Sequence, residues 1–184
     1  MPILYIAFAV AFAAYTSKLR LASQFVLFPA LILANFINPP YPFPLENNLA
    51  FATFVSLNQR AAEFVQARYP DSTIATSFPL AGALRRPEFG YVSRPMKVRE
   101  VKDFGAANIA GLENGGADVL VLYSTAWDPW DLLAHPAWID FLHRYYGYEP
   151  QASLEQVAAM LHMRPVGRWT RNGQWIEVLK RDSI

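Results

Sequence analysis

Two adjacent arginines, Arg85 and Arg86, sit in the stretch SFPLAGALRRPEFGYV (77–92), directly after the β-branched run STIATS. Guanidinium forks match the oxygens of phosphate and carboxylate. A segment leaving the carboxyl end of a parallel strand is also where open α/β sheets bind ligands. The pair is therefore this chain's candidate ligand-binding site, suited to an anion. The same stretch also reads as a sharp connection in which Pro79 and Pro87 turn the chain while Phe78, Leu80 and Phe89 pack. Both readings stay open at this stage.

Other residue types that could do chemistry are not arranged for it. Ser77 and Ser124 end strand-like runs but lie in no G-x-S-x-G elbow. Neither G-x-G-x-x-G nor G-x-x-x-x-G-K occurs. His135, His143 and His162 lack the three- or four-residue spacing that converges two rings on one ion. Asp128 reads as a helix cap and Asp131 as a first-turn residue favoured by the helix dipole. With no cysteine there is no disulfide scaffold, thiolate site or thiol nucleophile. No catalytic residue, metal site or cofactor is assigned. The aromatics Trp127, Trp130, Trp138, Tyr145, Tyr146 and Tyr148 suit stacking on sugar rings, contact with lipid headgroups, or packing between helix and sheet.

The elements that would carry these residues fall into two regions. Lys18 and Arg20 are the only charges in the first 45 residues, and Glu46 is the first acid. PILYIAFAVAFAAYT (2–16) and LASQFVLFPALILANFIN (21–38) are uncharged and separated by SKLR. Both runs lie near the lower end of the roughly 17–25 residues that cross a bilayer, so residues 1–38 are expected to form a transmembrane helical hairpin, with a kink at Pro29. The positive-inside rule puts the SKLR turn in the cytoplasm and the following domain outside the inner membrane of a bacterium. Residues 39–48 hold a proline cluster and read as a stiff linker.

Residues 49–184 alternate helical and strand patterns. FATFVSLNQRAAEFVQARYP is an amphipathic helix ended near Pro70, and ADVLVLYS (117–124) is the continuous apolar run of a strand covered on both faces. His135 before Pro136 marks a helix start. Ser153 with Gln156 forms a capping-box pattern. Asn172-Gly173 between two strand-like runs predicts a hairpin. The expected fold is α/β: a small three-layer domain with a mostly parallel sheet and a C-terminal β-hairpin. After residue 45 the remaining fourteen of sixteen Lys and Arg face fifteen acids, so no nucleic-acid-binding field is expected.

The order of a kinked apolar helix, a proline-rich exit, PLENNLAFATFVSLNQRAAEFVQARYP, a strand and SFPLAGALRRPEFGYVSRP resembles the carboxyl-terminal end of bacterial multi-pass membrane glycosyltransferases. These are protein O-mannosyltransferase-like enzymes that use polyprenyl-phosphate sugars. The resemblance covers most of the chain from about residue 21. It implies two final membrane helices plus a soluble terminal domain. In that family the catalytic acid lies in an early extracytoplasmic loop with no counterpart in this sequence, so no catalytic position carries over. The expected role is a membrane-anchored accessory or C-terminal domain without its own catalytic centre. Glycosyltransferase activity is expected only together with a multi-pass catalytic region. Its partners would be membrane lipid and a multi-pass transferase or polyprenyl-phosphate sugar. The alternative is an extracytoplasmic small-ligand or sensory module using Arg85 and Arg86.

Overall fold

The structure is a computed structural model that describes residues 17–36, 49–113, 116–125 and 132–182. The chain divides into two compact units, Met1–Ile37 and Asn38–Ile184.

The first unit contains helix α1, Ser17–Ala34. Lys18 and Arg20 thus lie in a helical first turn and not in the turn expected of SKLR. The reason is local: Lys, Leu and Arg are good helix formers, and no glycine or proline interrupts them. At about 1.5 Å per residue α1 is about 27 Å long, and its uncharged part, 21–34, about 21 Å, against a hydrocarbon core of about 30 Å. No helix among the described residues is long and apolar enough to cross a membrane. The expected transmembrane hairpin is therefore unsupported: the one helix of it that is described falls short of a span, and the first apolar run, 2–16, lies outside the described residues. Pro29 is inside α1. Phe25, Val26, Phe28, Leu31, Ile32 and Leu33 are all exposed, and because residues 25–33 are apolar without exception, at about 100° per residue this part of the helix is apolar all round.

In the second unit, helix α2 (Leu49–Arg68) buries Phe54, Leu57, Ala61, Ala62 and Val65. Strand β1 (Thr73–Ser77) follows, then helix α3 (Leu80–Arg85), strand β2 (Lys97–Val101), helix α4 (Ala106–Ala110) and strand β3 (Val119–Tyr123). Helix α5 (Pro136–Tyr146), helix α6 (Leu154–Leu161) and strands β4 (Met163–Arg171) and β5 (Gln174–Arg181) complete it. The five strands run in the order β2-β1-β3-β5-β4. β1 pairs in parallel with β2 and β3, whereas β5 is antiparallel to both β3 and β4. The sheet is therefore evenly mixed, because the hairpin adds two antiparallel pairings to two parallel ones.

Side-chain alternation along β5 assigns the layers. Gln174 donates to the Ala50 carbonyl and Lys180 lies over the Tyr69 ring, so their face meets α2. Arg181 on the other face donates to the carbonyls of Leu112 and Leu161, at the ends of the α4 and α6 segments. Helices thus cover both faces, giving three layers. Every residue of β3 is buried, as its unbroken apolar sequence requires. The hairpin turns through Asn172 and Gly173, both at positive φ, which the tight two-residue turn demands. Pro165 is tolerated because β4 is an edge strand with a register shift between Pro165 and Gly167.

Candidate functional site

β1 is the switch point of the sheet. Its crossovers lead to β2 on one side and onward to β3 on the other, so the crevice between the carboxyl ends of β1 and β3 is where an open α/β sheet would take a ligand. The two strands separate there. Their pairing runs through Ile74↔Val119 and Ala75↔Leu120, while β1 continues to Ser77 and β3 to Tyr123.

Side chains fill the opening. Thr76 Oγ1, fully buried, donates to the Val121 carbonyl at 2.9 Å. One step further out the Tyr123 hydroxyl donates to the Phe78 carbonyl at 2.5 Å. The Tyr123 ring makes edge contacts with Phe54 of α2 at 5.3 Å and with Phe104 at 4.9 Å. Burial pushes the Tyr123 phenol well above its ordinary range; the Ser77 hydroxyl opposes this, and the Glu100 charge reinforces it. A phenol so placed stays protonated and acts as a fixed donor.

A second layer closes over this plug. Gln151 Nε2 donates to the Tyr123 carbonyl, and its Oε1 accepts from the Thr125 hydroxyl at 3.3 Å. Ala152 N–H donates to the Phe104 carbonyl at 2.9 Å. Beside it, Asp103 accepts from Gly105 N–H at 2.8 Å and from Asn108 Nδ2 at 2.6 Å, pinning the start of α4. His143 Nε2 and Glu149 Oε1 are 3.0 Å apart. This polar rim binds itself together.

The predicted arginines lie to one side and do different things. The segment that carries them is partly helical, because Leu80, Ala81, Ala83 and Leu84 bury one face of α3. The Arg85 guanidinium contacts Glu100 at 2.6 Å and donates to the Val98 carbonyl at 3.2 Å. It ties α3 to the edge strand β2, so its charge is already committed. Arg86 is exposed, with its guanidinium over the Phe89 ring at 5.8 Å from the centroid. The structure does not converge the two on one point of the crevice.

Of the remaining candidates, Ser77 Oγ donates to the Lys102 carbonyl and Ser124 Oγ accepts from Trp175 N–H. Both are structural bonds between segments. No group of three or more His, Cys, Asp or Glu that could hold a metal exists among the described residues. Asp128, Asp131, Trp127 and Trp130 lie outside the described residues. Trp138 and Phe141 stack at 5.3 Å, and Phe141 is 5.0 Å from Tyr145, forming a connected aromatic row on α5. The sequence reading missed Tyr123, Thr76 and Gln151 as the residues that occupy the crevice. A phenol terminating the most apolar strand was the available signal, since a buried tyrosine needs an acceptor for its hydroxyl.

One buried carboxylate stands apart. Glu177 on β5 is 5% exposed and its Oε2 lies 3.5 Å from Arg168 Nε. Burial raises its pKa, Arg168 lowers it and the Glu155 charge raises it. It faces its neighbour on the hairpin and belongs to no cluster of acids or histidines. Comparison of the chain with family models, with curated proteins and with solved structures gave no match.

Proposed function

We propose that this chain is a membrane-anchored accessory or C-terminal domain of a glycosyltransferase-like membrane protein, acting by docking and positioning without its own catalytic centre. The observation that carries the reading is α1. Its residues 25–33 are apolar without exception, and a helical stretch apolar on every side is stable only inside a larger apolar body, either lipid or other helices. The second unit then contributes a domain whose ligand crevice is packed with its own Thr76, Tyr123 and Gln151. That arrangement supports a rigid platform better than a reaction chamber. Its partners are membrane lipid and a multi-pass transferase that handles a polyprenyl-phosphate sugar, and its place is the outer side of a bacterial cytoplasmic membrane.

A small-ligand or sensory module is the second reading. It now rests on Arg86 alone, because Arg85 neutralises Glu100. The test of the main proposal is purification of the tagged full chain from membranes in a mild detergent. Recovery of a multi-pass membrane protein in comparable amount is expected. Recovery of the chain alone from membranes that contain such a protein overturns the proposal.

A further inference from the structure

Six large hydrophobic side chains are exposed among the described residues of the second unit: Leu49, Phe78, Phe89, Phe141, Tyr145 and Tyr146. Five of them belong to one end of it. Phe78 follows the last residue of β1. Leu49 opens α2 beside Ala50, whose carbonyl is bonded by Gln174 at the start of β5, and β5 begins opposite the carboxyl end of β3 through Tyr123↔Ile176. Phe141, Tyr145 and Tyr146 are on α5, in the segment that leaves β3 and returns to it where Gln151 meets the Tyr123 carbonyl. Phe89, with Arg86 over its ring, is the exception.

This end is also where the chain enters the unit. α2 starts here at Leu49, and the preceding apolar helix α1 ends at Ala34, with only residues 35–48 between them.

We infer that the carboxyl end of the sheet is a docking surface for the lipid bilayer interface, with Phe78 and the Phe141–Tyr145–Tyr146 row of α5 entering the headgroup layer. This rests on the proposal that the chain is anchored in a membrane. The chemistry fits lipid in two ways. Tyrosine and phenylalanine on one face of a short helix are the residues that settle at the headgroup level, with apolar rings inward and hydroxyls wet. Among the described residues near the ends of these elements, Lys102, Arg144 and Arg171 are matched in number by Asp103, Asp140 and Glu149. Docking therefore needs no anionic lipid and is insensitive to salt.

The chain has no cysteine, so single introduced cysteines report one position each. Full chains carrying Phe78→Cys or Tyr145→Cys are labelled with an environment-sensitive dye. The same is done with Asp71→Cys, which precedes the opposite end of β1. All are reconstituted with phosphatidylcholine vesicles containing nitroxide-labelled lipid, and circular dichroism verifies that the variants fold alike. Quenching at 78 and 145 should exceed that at 71 by at least about threefold, because interfacial side chains sit about 5–10 Å into the boundary. It should persist when salt is raised. Failure of the full chain to float with the vesicles overturns both the anchoring and this surface. Floating with equal quenching at all three positions overturns this surface alone. Shielding of 78 and 145 from aqueous iodide in detergent that grows with protein concentration assigns the surface to a second copy of the chain, and this too overturns the inference.

Discussion

Replacing Tyr123 by phenylalanine removes one oxygen and leaves the ring wedged between Phe54 and Phe104. The Phe78 carbonyl then loses its donor in a part-buried position. An acceptor orphaned in this way costs about 1–2 kcal/mol, and that is the expected loss of stability at pH 8. The pH dependence is more diagnostic than the loss itself. The folded state raises the Tyr123 pKa by burial. Above the ordinary phenol range the unfolded chain releases a proton that the folded chain retains. The wild-type stability contribution from this group is thus complete well below pH 10 and declines above it with a slope approaching about 1.4 kcal/mol per pH unit. Tyr123→Phe lacks that decline. Its deficit should therefore shrink by about 1 kcal/mol between pH 10 and pH 11, where the unfolded phenol passes from half to almost fully ionised. Denaturant titration of the full chain in a non-ionic detergent, followed by tryptophan fluorescence, measures both quantities. Equal stability at pH 8, or a deficit that stays constant from pH 8 to pH 11, would refute the assignment of Tyr123 as the protonated plug between β1 and β3.

The remaining expectations concern other charges and caps. Burial raises the Glu177 pKa, so its carboxyl supports folding while protonated, and the support is lost as pH rises past the ordinary glutamate range. Glu177→Gln should accordingly be more stable than wild type at pH 7 and lose that advantage below about pH 4, read from paired denaturant titrations. Arg85→Ala should cost about 0.2–1 kcal/mol because it releases Glu100 and the Val98 carbonyl, whereas Arg86→Ala should stay within about 0.5 kcal/mol of wild type. Equal costs at the two positions would contradict their different roles. Ser153 caps α6 by accepting from Gln156 N–H, while the Gln156 side chain accepts from Ser153 N–H. Ser153→Ala should lose about 1 kcal/mol in the same assay.

Elements whose cause is local were legible in the sequence. The buried strand β3 announced itself as VLVLY, the hairpin as Asn172-Gly173, the capping box as Ser153 with Gln156, and the start of α5 as His135 before Pro136. Features decided by partners distant in the chain were not. Nothing in LAGALR says that Arg85 meets Glu100 fifteen residues later, or that Leu80 and Leu84 bury the face that makes α3 a helix. A parallel strand ahead of the arginine segment was legible, yet what stands at its carboxyl end depends on contacts between Thr76 and Val121 and between Phe78 and Tyr123, each 45 residues apart. SKLR misled for a different reason: a charged tetrapeptide between apolar runs looks like a turn, but its residues favour helix and nothing in it stops one.

Everything proposed for this chain depends on lipid, or helices within it, covering the apolar circumference of α1. The most direct measurement is fractionation of cells expressing the tagged full chain, with the membrane pellet washed in alkaline carbonate. Retention of the chain in the washed pellet, released only by detergent, is the predicted result. Recovery of the folded chain in the wash or in the soluble fraction would contradict the account.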